Sequence, residues 1–400
     1  MVIVYILERF PSYSEYFILN EITTLREQGF RIIVASVKKG PPLDNHSSSS
    51  TEPPLYFGSW FSPVKSAAHL YLLRKYDRRY WSVLKETVFA GGTVAEALRR
   101  WKHFSIAAFF LFRLRHIPVD RLHAHFLSLP STIALIMSKL SGIAFSCSAH
   151  AHDIFTTDES ELQRKIAAAK LVVTCTQFNL EYLKAIAPGE AKERIQHVYH
   201  GIDLSKWKGR KGFYPFTNGI HILSVGRLVE KKGTIYLLQA VKQLKASCDI
   251  RCSIVGDGPL LSMLKDFILQ HQLEENVRLY GALEQEKIKP LYEAADLFVL
   301  PCRETADGDR DGLPNVLMEA LAIGVPVIST SVSAVPELVE NEVTGLLVPQ
   351  EDAKSIAEAI MRLRNDTALY QYIVTNGWEK IKKFDIHHST GRLSRLLEGT

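Results

Sequence analysis

Cysteine is scarce: there are five in 400 residues, an odd number, with no Cys-x-x-Cys pair. That excludes a disulfide framework or a zinc ribbon and points to a reducing compartment. Cys248 and Cys252 lie four apart and are expected on a surface turn or strand edge. Long apolar runs are also missing. The longest in the first half, FSIAAFFLFRL at 104–114, is too short to span a bilayer. The opening MVIVYILERFP has no basic leader and only a short apolar stretch before Glu8, so it does not read as a signal peptide. The turn at 226–233 lacks the Walker pattern, and GDGP at 256–259 lacks the third glycine of a dinucleotide fingerprint. No short tandem repeat and no nucleic-acid-binding motif or uniformly basic face is present.

What is present is globular: 46% hydrophobic and 23% charged residues, in a chain long enough for two or three domains. VIVYIL at 2–7 reads as a buried strand. A helix follows, with Phe17, Ile18, Ile22 and Leu25 at helical spacing and Gly29 as its stop, and RIIVASV is the next strand. That β-α-β start predicts a parallel, doubly wound sheet. The alternation continues to about residue 200. KWKGRKGFYPFTNG at 206–219 breaks the pattern and reads as a linker. β/α alternation then restarts with HILSVGR and runs to a helix over 353–364. The expected organisation is an α/β chain with a Rossmann-like unit over 1–205, a second over 206–380, and a terminal helix over 381–400 able to pack back toward the first. In such sheets ligands sit beyond the carboxyl ends of the strands, so two units facing across a cleft would place the site there.

Charge is unevenly distributed. Between Tyr56 and His116 eleven Lys/Arg stand against three Asp/Glu, which gives +8, while the whole chain is +5 and the remainder therefore −3. Trp60, Phe61, Tyr71, Tyr76, Tyr80, Trp81, Trp101, Phe109, Phe110 and Phe112 are interleaved with those cations. Such a segment suits an anionic membrane surface; the alternative is a helical layer with aromatics in the core and charges in solvent.

Several strand ends carry candidate chemistry. Arg227 and Lys232 follow HILSVG, in a turn that leads through Gly233 into a helix, where helix amides and two cations make an anion site. Asp311, Gly312, Leu313, Pro314 and Asn315 precede the helix VLMEALAIG. Glu319, eight residues after Asp311, falls among Leu317, Met318, Ala320 and Leu321. A carboxylate there needs a partner, and either a ribose diol or a salt bridge would serve. His123 and His125 share one face of RLHAHF, and His150 and His152 share one face of SAHAHD, with Asp153 next.

Taken in order, SVGRLVEKKG, IVGDGP, VRLYG, ADLFVLP and DGLPNVLMEALAIGVPVISTSVSAVPELVENEVTGLLV resemble the family-4 retaining glycosyltransferases of GT-B fold. FPSYSEYFILNEITTLREQG and FSCSAHAHDIF resemble the exopolysaccharide branch of that family, of colanic-acid type. The resemblance spans nearly the whole chain and is weakest over 40–115. It implies a metal- and cofactor-independent hexosyltransferase that moves a sugar from a nucleoside-diphosphate donor, UDP rather than GDP, to a saccharide acceptor with retention. Arg227 and Lys232 match the pair that holds the leaving diphosphate. Glu319 matches the ribose-binding glutamate. Asp311 stands where relatives carry the sugar-contacting glutamate and is one methylene shorter. Gly226 and the stretch Gly312, Leu313, Pro314, Asn315 and Val316 would line the donor. His150 matches the sugar-contacting histidine, with Asp153 beside it. Ser14 and Glu15, in the loop after the first strand, would face acceptor and donor phosphate.

The acceptor expected from the basic aromatic segment is a polyprenyl-diphosphate-linked saccharide at the inner face of the plasma membrane, with the protein cytoplasmic and peripheral. Two other classes are distinguishable. A metal hydrolase would use His123, His125, His150, His152 and Asp153. A catalytically silent nucleotide-sugar-binding subunit of a polysaccharide assembly complex would bind donor without turnover.

Overall fold

A parallel strand covered on both faces reads as a continuous apolar run, and most strands of this chain do. The computed structural model describes residues 1–12, 15–41, 52–60, 62–207, 216 and 219–399. Ser14, Phe61 and most of the 206–219 segment lie outside the described residues. Contacts divide the chain into two units. The first comprises Met1–Cys175, Leu180–Val198 and Thr390–Thr400; the second comprises Thr176–Asn179 and Tyr199–Ser389.

The chain enters the first unit through β1 (Val2–Phe10), α1 (Tyr16–Glu27), β2 (Arg31–Lys39), β3 (Leu55–Tyr56), α2 (Pro63–Val88) and α3 (Val94–Arg113). It continues through β4 (Arg121–His125), α4 (Leu129–Ser141), β5 (Phe145–Ala149), α5 (Ala151–Thr156), α6 (Glu159–Ala168), β6 (Leu171–Thr174), α7 (Gln177–Ile186) and β7 (Ile195–His197). The seven strands lie in the order β3-β2-β1-β4-β5-β6-β7. All pairs are parallel, with Ile3 opposite both Ile32 and Arg121. α1 buries Ile18, Ile22 and Leu25 on one stripe and stops at Gly29, whose φ of +90° suits glycine. α3 opens on a capping box in which Thr93 and Glu96 satisfy each other's amides.

Each face of this sheet carries a core. One gathers α2, α3, α4 and α6; the other joins α1 to β1, β2 and β6 and takes in Leu393 and Leu397. The basic aromatic segment divides accordingly. Tyr80, Phe104, Phe109 and Phe110 are core, whereas Trp60, Trp81 and Trp101 are exposed.

The second unit repeats the plan: β8 (Ile220–Val225), α8 (Thr234–Leu244), β9 (Ile250–Val255), α9 (Leu261–Gln270), β10 (Val277–Leu279), α10 (Gln285–Ala294), β11 (Leu297–Leu300) and α11 (Asn315–Ile323). β12 (Val327–Thr330), α12 (Val335–Leu338), β13 (Leu346–Val348), α13 (Ala353–Asn365) and α14 (Thr367–Ile381) follow, and α15 (Ile386–Glu398) belongs to the first unit from Thr390 onward. Its six parallel strands run β10-β9-β8-β11-β12-β13. The chain therefore builds two Rossmann-like parallel sheets. The cysteine expectation needs one correction. Cys248 lies on the turn before β9, but Cys252 is buried within β9, flanked by β8 and β10. Its alternation with exposed Arg251 gave no hint that both neighbouring strands would be filled.

Candidate active site

In the second sheet the strand order reverses between β8 and β11, and such a reversal opens a ligand crevice at the carboxyl ends. The residues that leave those two strands meet there. After β8, residues 230–232 make one 3-10 turn, and Gly233 takes a left-handed φ of +64° to start α8. A Cβ at Gly233 would lie 1.9 Å from the Pro301 carbonyl oxygen, so β11's exit presses directly on this turn. Lys232 folds back over Gly226, where an added Cβ would lie 3.4 Å from the Lys232 Cδ. Its Nζ reaches Asp311 Oδ2 at 2.7 Å. Lys231 Nζ lies 2.9 Å from Asp309 and 3.7 Å from Asp311. Arg227 is exposed, and its charge is felt at Lys232.

These charges perturb one another. Burial alone would raise the Asp311 carboxyl, but Lys232 and then Lys231 override it and hold it below the ordinary aspartate range. Burial would lower the Lys232 ammonium, but Asp311 raises it above the ordinary lysine value. The Cys302 thiol, 3.6 Å from Asp311 Oδ2, is pushed up, first by burial and then by that carboxylate.

The charged stretch 303–311 is not a loose loop. Arg303 pairs with Glu351 at 2.8 Å and Glu230 at 3.3 Å, Arg310 pairs with Glu304, and Thr305 Oγ1 donates to the Asp309 carbonyl at 2.9 Å. Gly312 and Leu313 form the bend that leads into α11, with Pro314 at the N-cap and Asn315 and Val316 in its first turn. First-turn amides have no partner within a helix, so they face outward as donors. The Asn315 Oδ1 is buried without a hydrogen-bond partner, an arrangement that calls for a ligand or an ordered water. Glu319 is buried in α11, where Gln285 Nε2 donates to its Oε1 at 2.9 Å and Tyr292 Oη to its Oε2 at 3.0 Å. Burial raises its pKa against those two bonds. A carboxylate has about four acceptor sites, so two remain for a diol. Of the two partners open from sequence, a salt bridge to Glu319 is therefore replaced by neutral donors. Lys231, Gln285 and Tyr292 were not singled out in the sequence. The apolar-stripe position of Tyr292 hides a hydroxyl whose role only the packing reveals.

In the first unit the strand order reverses between β1 and β4. His123 and His125 do share a face, with ring centroids 5.2 Å apart. His123 is fully buried between Ser146 Oγ at 2.8 Å and Ser148 Oγ at 3.0 Å, and burial lowers its pKa to about 3. His150 caps α5, while the Asp153 carboxylate accepts the His150 amide at 2.9 Å and the Leu127 amide. Burial lifts Asp153 to about 7. Glu15 lies just before α1, raised mainly by burial and lowered in part by His125. Glu21, absent from the sequence candidates, joins this group. Its Oε1 lies 3.1 Å from His125 Nε2 and accepts the Tyr5 hydroxyl at 2.7 Å. An acid three residues after Ile18 and four before Leu25, on the buried stripe of α1, was the available signal.

The five-residue metal set does not assemble, because His152 is exposed while His123 and His150 are buried in separate contacts. Glu21, His123 and His125 do bring ligand atoms within 4.8 Å of one another. Every ring nitrogen of those two histidines already has a hydrogen-bond partner, so an ion would have to break that network.

Comparison with known proteins bears on the family and the fold. Residues 205–380 match the family described as Glycosyl transferases group 1. WcaL of Escherichia coli K12, named for colanic acid biosynthesis, is 27% identical over 386 residues that cover 94% of each chain. The amylovoran biosynthesis glycosyltransferase AmsK of Erwinia amylovora is 28% identical over 414 residues, covering 98% of this chain and 97% of that one. The crystal structure of Anabaena Alr3699/HepE in complex with UDP-glucose superposes with a TM-score of 0.72 at 18% identity, over 100% of both chains. Residues 205–380 thus resemble the group 1 glycosyltransferases, and the fold of the chain is the GT-B fold.

Proposed function

We propose that this glycosyltransferase moves a sugar from a nucleoside-diphosphate donor to a saccharide acceptor in the building of an exopolysaccharide, with retention of the anomeric configuration. The observation that carries the reading is the meeting of Lys232, Asp311 and the opening turn of α11, with its unpartnered Asn315 acceptor, at the β8/β11 reversal. Arg227 and Lys232 take the diphosphate and stabilise its charge as it leaves, aided by the backbone amides of Leu313, Asn315 and Val316 at the start of α11. Glu319 receives the ribose diol, and Asp311 contacts the sugar once the phosphate has claimed Lys232. His150 is assigned to the sugar and Glu15 to the acceptor, while Gly226, Gly312 and Pro314 are assigned to the donor. The cations supply the positive charge that a metal would bring, so no metal or cofactor is assigned. The UDP-glucose bound to the Anabaena protein supports UDP as the nucleotide.

Thermal unfolding with saturating UDP, GDP and NAD tests this. A ligand at a hundredfold its dissociation constant adds about 2.7 kcal/mol to the native state. The expected result is a shift with UDP alone, lost in Arg227→Ala and Glu319→Ala and unchanged by EDTA. No shift with any nucleotide, or one that both variants retain, would sink the reading. UDP binding with no turnover of any UDP-sugar would favour a silent binding subunit.

The acceptor we propose is lipid-linked, reached from the cytoplasmic membrane face through 56–116. Trp81 at 55% and Phe89 at 70% exposure lie on the same helix-rich segment as the +8 excess of charge. No helix among the described residues is long and apolar enough to cross a membrane. Flotation with anionic vesicles at low salt, weakened by Trp81→Ser with Phe89→Ser, is the expected result. Equal recovery with and without vesicles would refute it.

A further inference from the structure

We propose that Glu21 and His125 are positioning residues that fix the tautomer of His150 through a buried carboxylate–imidazole–imidazole chain. The chain runs from Glu21 Oε1 to His125 Nε2 at 3.1 Å, and from His125 Nδ1 to His150 Nε2 at 3.3 Å. It crosses the strand-order reversal of the first sheet, from α1 after β1, to the end of β4, to the end of β5. Its functional meaning rests on the reading of His150 as the residue that meets the sugar.

The proton positions follow from what each atom can do. An ionised carboxylate only accepts. Burial would raise Glu21, but His125, then His123 and Tyr5, bring it to about 2, so it is ionised at neutral pH. His125 must therefore carry its proton on Nε2. In the proposed chain His125 is the Nε2–H tautomer, whose Nδ1 accepts from His150 Nε2 at 3.3 Å. The same answer comes from the other end. The His150 ring accepts the Asp153 amide at the start of α5, which keeps a bare nitrogen on that side. Both ends fit the same tautomer of both rings. The rings are also held in place by packing: His150 lies against Phe126 at 4.4 Å and Phe17 at 5.2 Å between centroids. Other polar groups that face the chain are Tyr5 from β1, Glu15 before α1, His123 from β4 and Asp153 from α5.

The consequence is a histidine with a carboxylate two hydrogen bonds behind it. If His150 takes up positive charge as the sugar–phosphate bond breaks, Glu21 stabilises it through His125. Removal of that carboxylate inverts the logic. In Glu21→Gln the amide group can donate to His125 Nε2, which then moves its proton to Nδ1 and faces the Nε2–H of His150.

The experiment is long-range proton–nitrogen correlation of the full chain labelled with nitrogen-15 histidine, with peaks assigned through His125→Asn and His150→Asn. At neutral pH both rings are expected with protonated Nε2 and bare Nδ1. In Glu21→Gln the His150 signals are expected to move although Glu21 does not touch that ring. In Glu15→Gln, a nearby acid outside the chain, they are expected to stay. A protonated Nδ1 on either native ring overturns the proposal, and this holds even if Glu21→Gln does not fold. So do His150 signals that are identical in a folded Glu21→Gln variant. Because the spectrum needs no donor sugar, the relay stands or falls separately from the proposed transfer reaction.

Discussion

Asp311→Asn is predicted to make the free protein less stable and its grip on UDP tighter. The ion pair to Lys232 is close, at 2.7 Å, with side chains only 13% and 15% exposed. Removal of one partner from a buried pair costs about 3–5 kcal/mol, because the other charge is left uncompensated. Asp309 already belongs to Lys231 at 2.9 Å, so it does not substitute for the lost carboxylate. Some water reaches the site, so the low end, about 3 kcal/mol, is expected. For a unit of this size that lowers the melting temperature by roughly 6–12 °C. UDP reverses the balance. In the native protein a phosphate must take Lys232 from Asp311. In the variant it meets an unpaired ammonium and supplies the missing counter-charge. Because UDP carries no sugar, nothing is lost on the sugar side. Its affinity is expected to rise about tenfold, or 1.4 kcal/mol.

Calorimetric titration with UDP at pH 7.5 and fixed ionic strength, beside scanning calorimetry, measures both halves. The pH lies on a plateau for this pair. Asp311 has a depressed pKa, so its contribution is present above the ordinary carboxylate range and lost as pH falls through its folded value. Lys232 has a raised pKa, so its contribution is present below the ordinary lysine value and lost as pH rises through its folded value. A variant that folds normally but binds UDP no tighter would refute the claim that Lys232 is held for a phosphate.

Glu319→Gln keeps the shape but puts an amide against one of two donors, Gln285 or Tyr292. Relief of the buried charge offsets that loss in stability, while UDP affinity measured by titration is expected to fall at least about tenfold, since hydrogen bonds to charged groups contribute about 1.5–3 kcal/mol. Gly256→Ala places a Cβ 1.8 Å from the Gly226 carbonyl oxygen at a φ of +146°, and urea unfolding should show a loss of roughly 3 kcal/mol from strain and overpacking. Asp153 sits at about 7 because burial favours its neutral form, so its contribution is full below the ordinary aspartate value and is lost as pH rises through 7. Denaturation at pH 5 and pH 8 should therefore show a smaller loss on going to pH 8 in Asp153→Asn than in the native chain.

The alternation of strands and helices was legible because burial on both faces leaves few choices of residue. VIVYIL and HILSVG could not be exposed strands, and stop signals such as Gly29 act within one turn of the helix they end. Short elements left no such mark. β3 has two residues, α5 six and α12 four, too few for a period to repeat. Lys165 shows a different failure. It reads as an ordinary solvated lysine of a polar helix, yet it is fully buried, with Nζ donating to the carbonyls of Leu127 at 2.6 Å and Ser128 at 2.8 Å. Only the chain reversal after β4 supplies those carbonyls.

The site divides along the same line. Lys232, Asp311 and Glu319 each stood out by local motif, and the resemblance gave them separate roles. What no motif carries is that the first two neutralise each other before any donor arrives. That follows from the topology, because β8 and β11 are adjacent in the sheet though β9 and β10 come between them in sequence. Glu21 makes the case more sharply. It lies sixteen positions from Tyr5 and 104 from His125, and the three meet only because β1 pairs with β4. An acid on the apolar stripe of α1 was visible in the sequence as an anomaly. An unexplained charge on a buried stripe is a question the sequence can pose, and the answer lies wherever the sheet's order reverses and brings distant strand ends together.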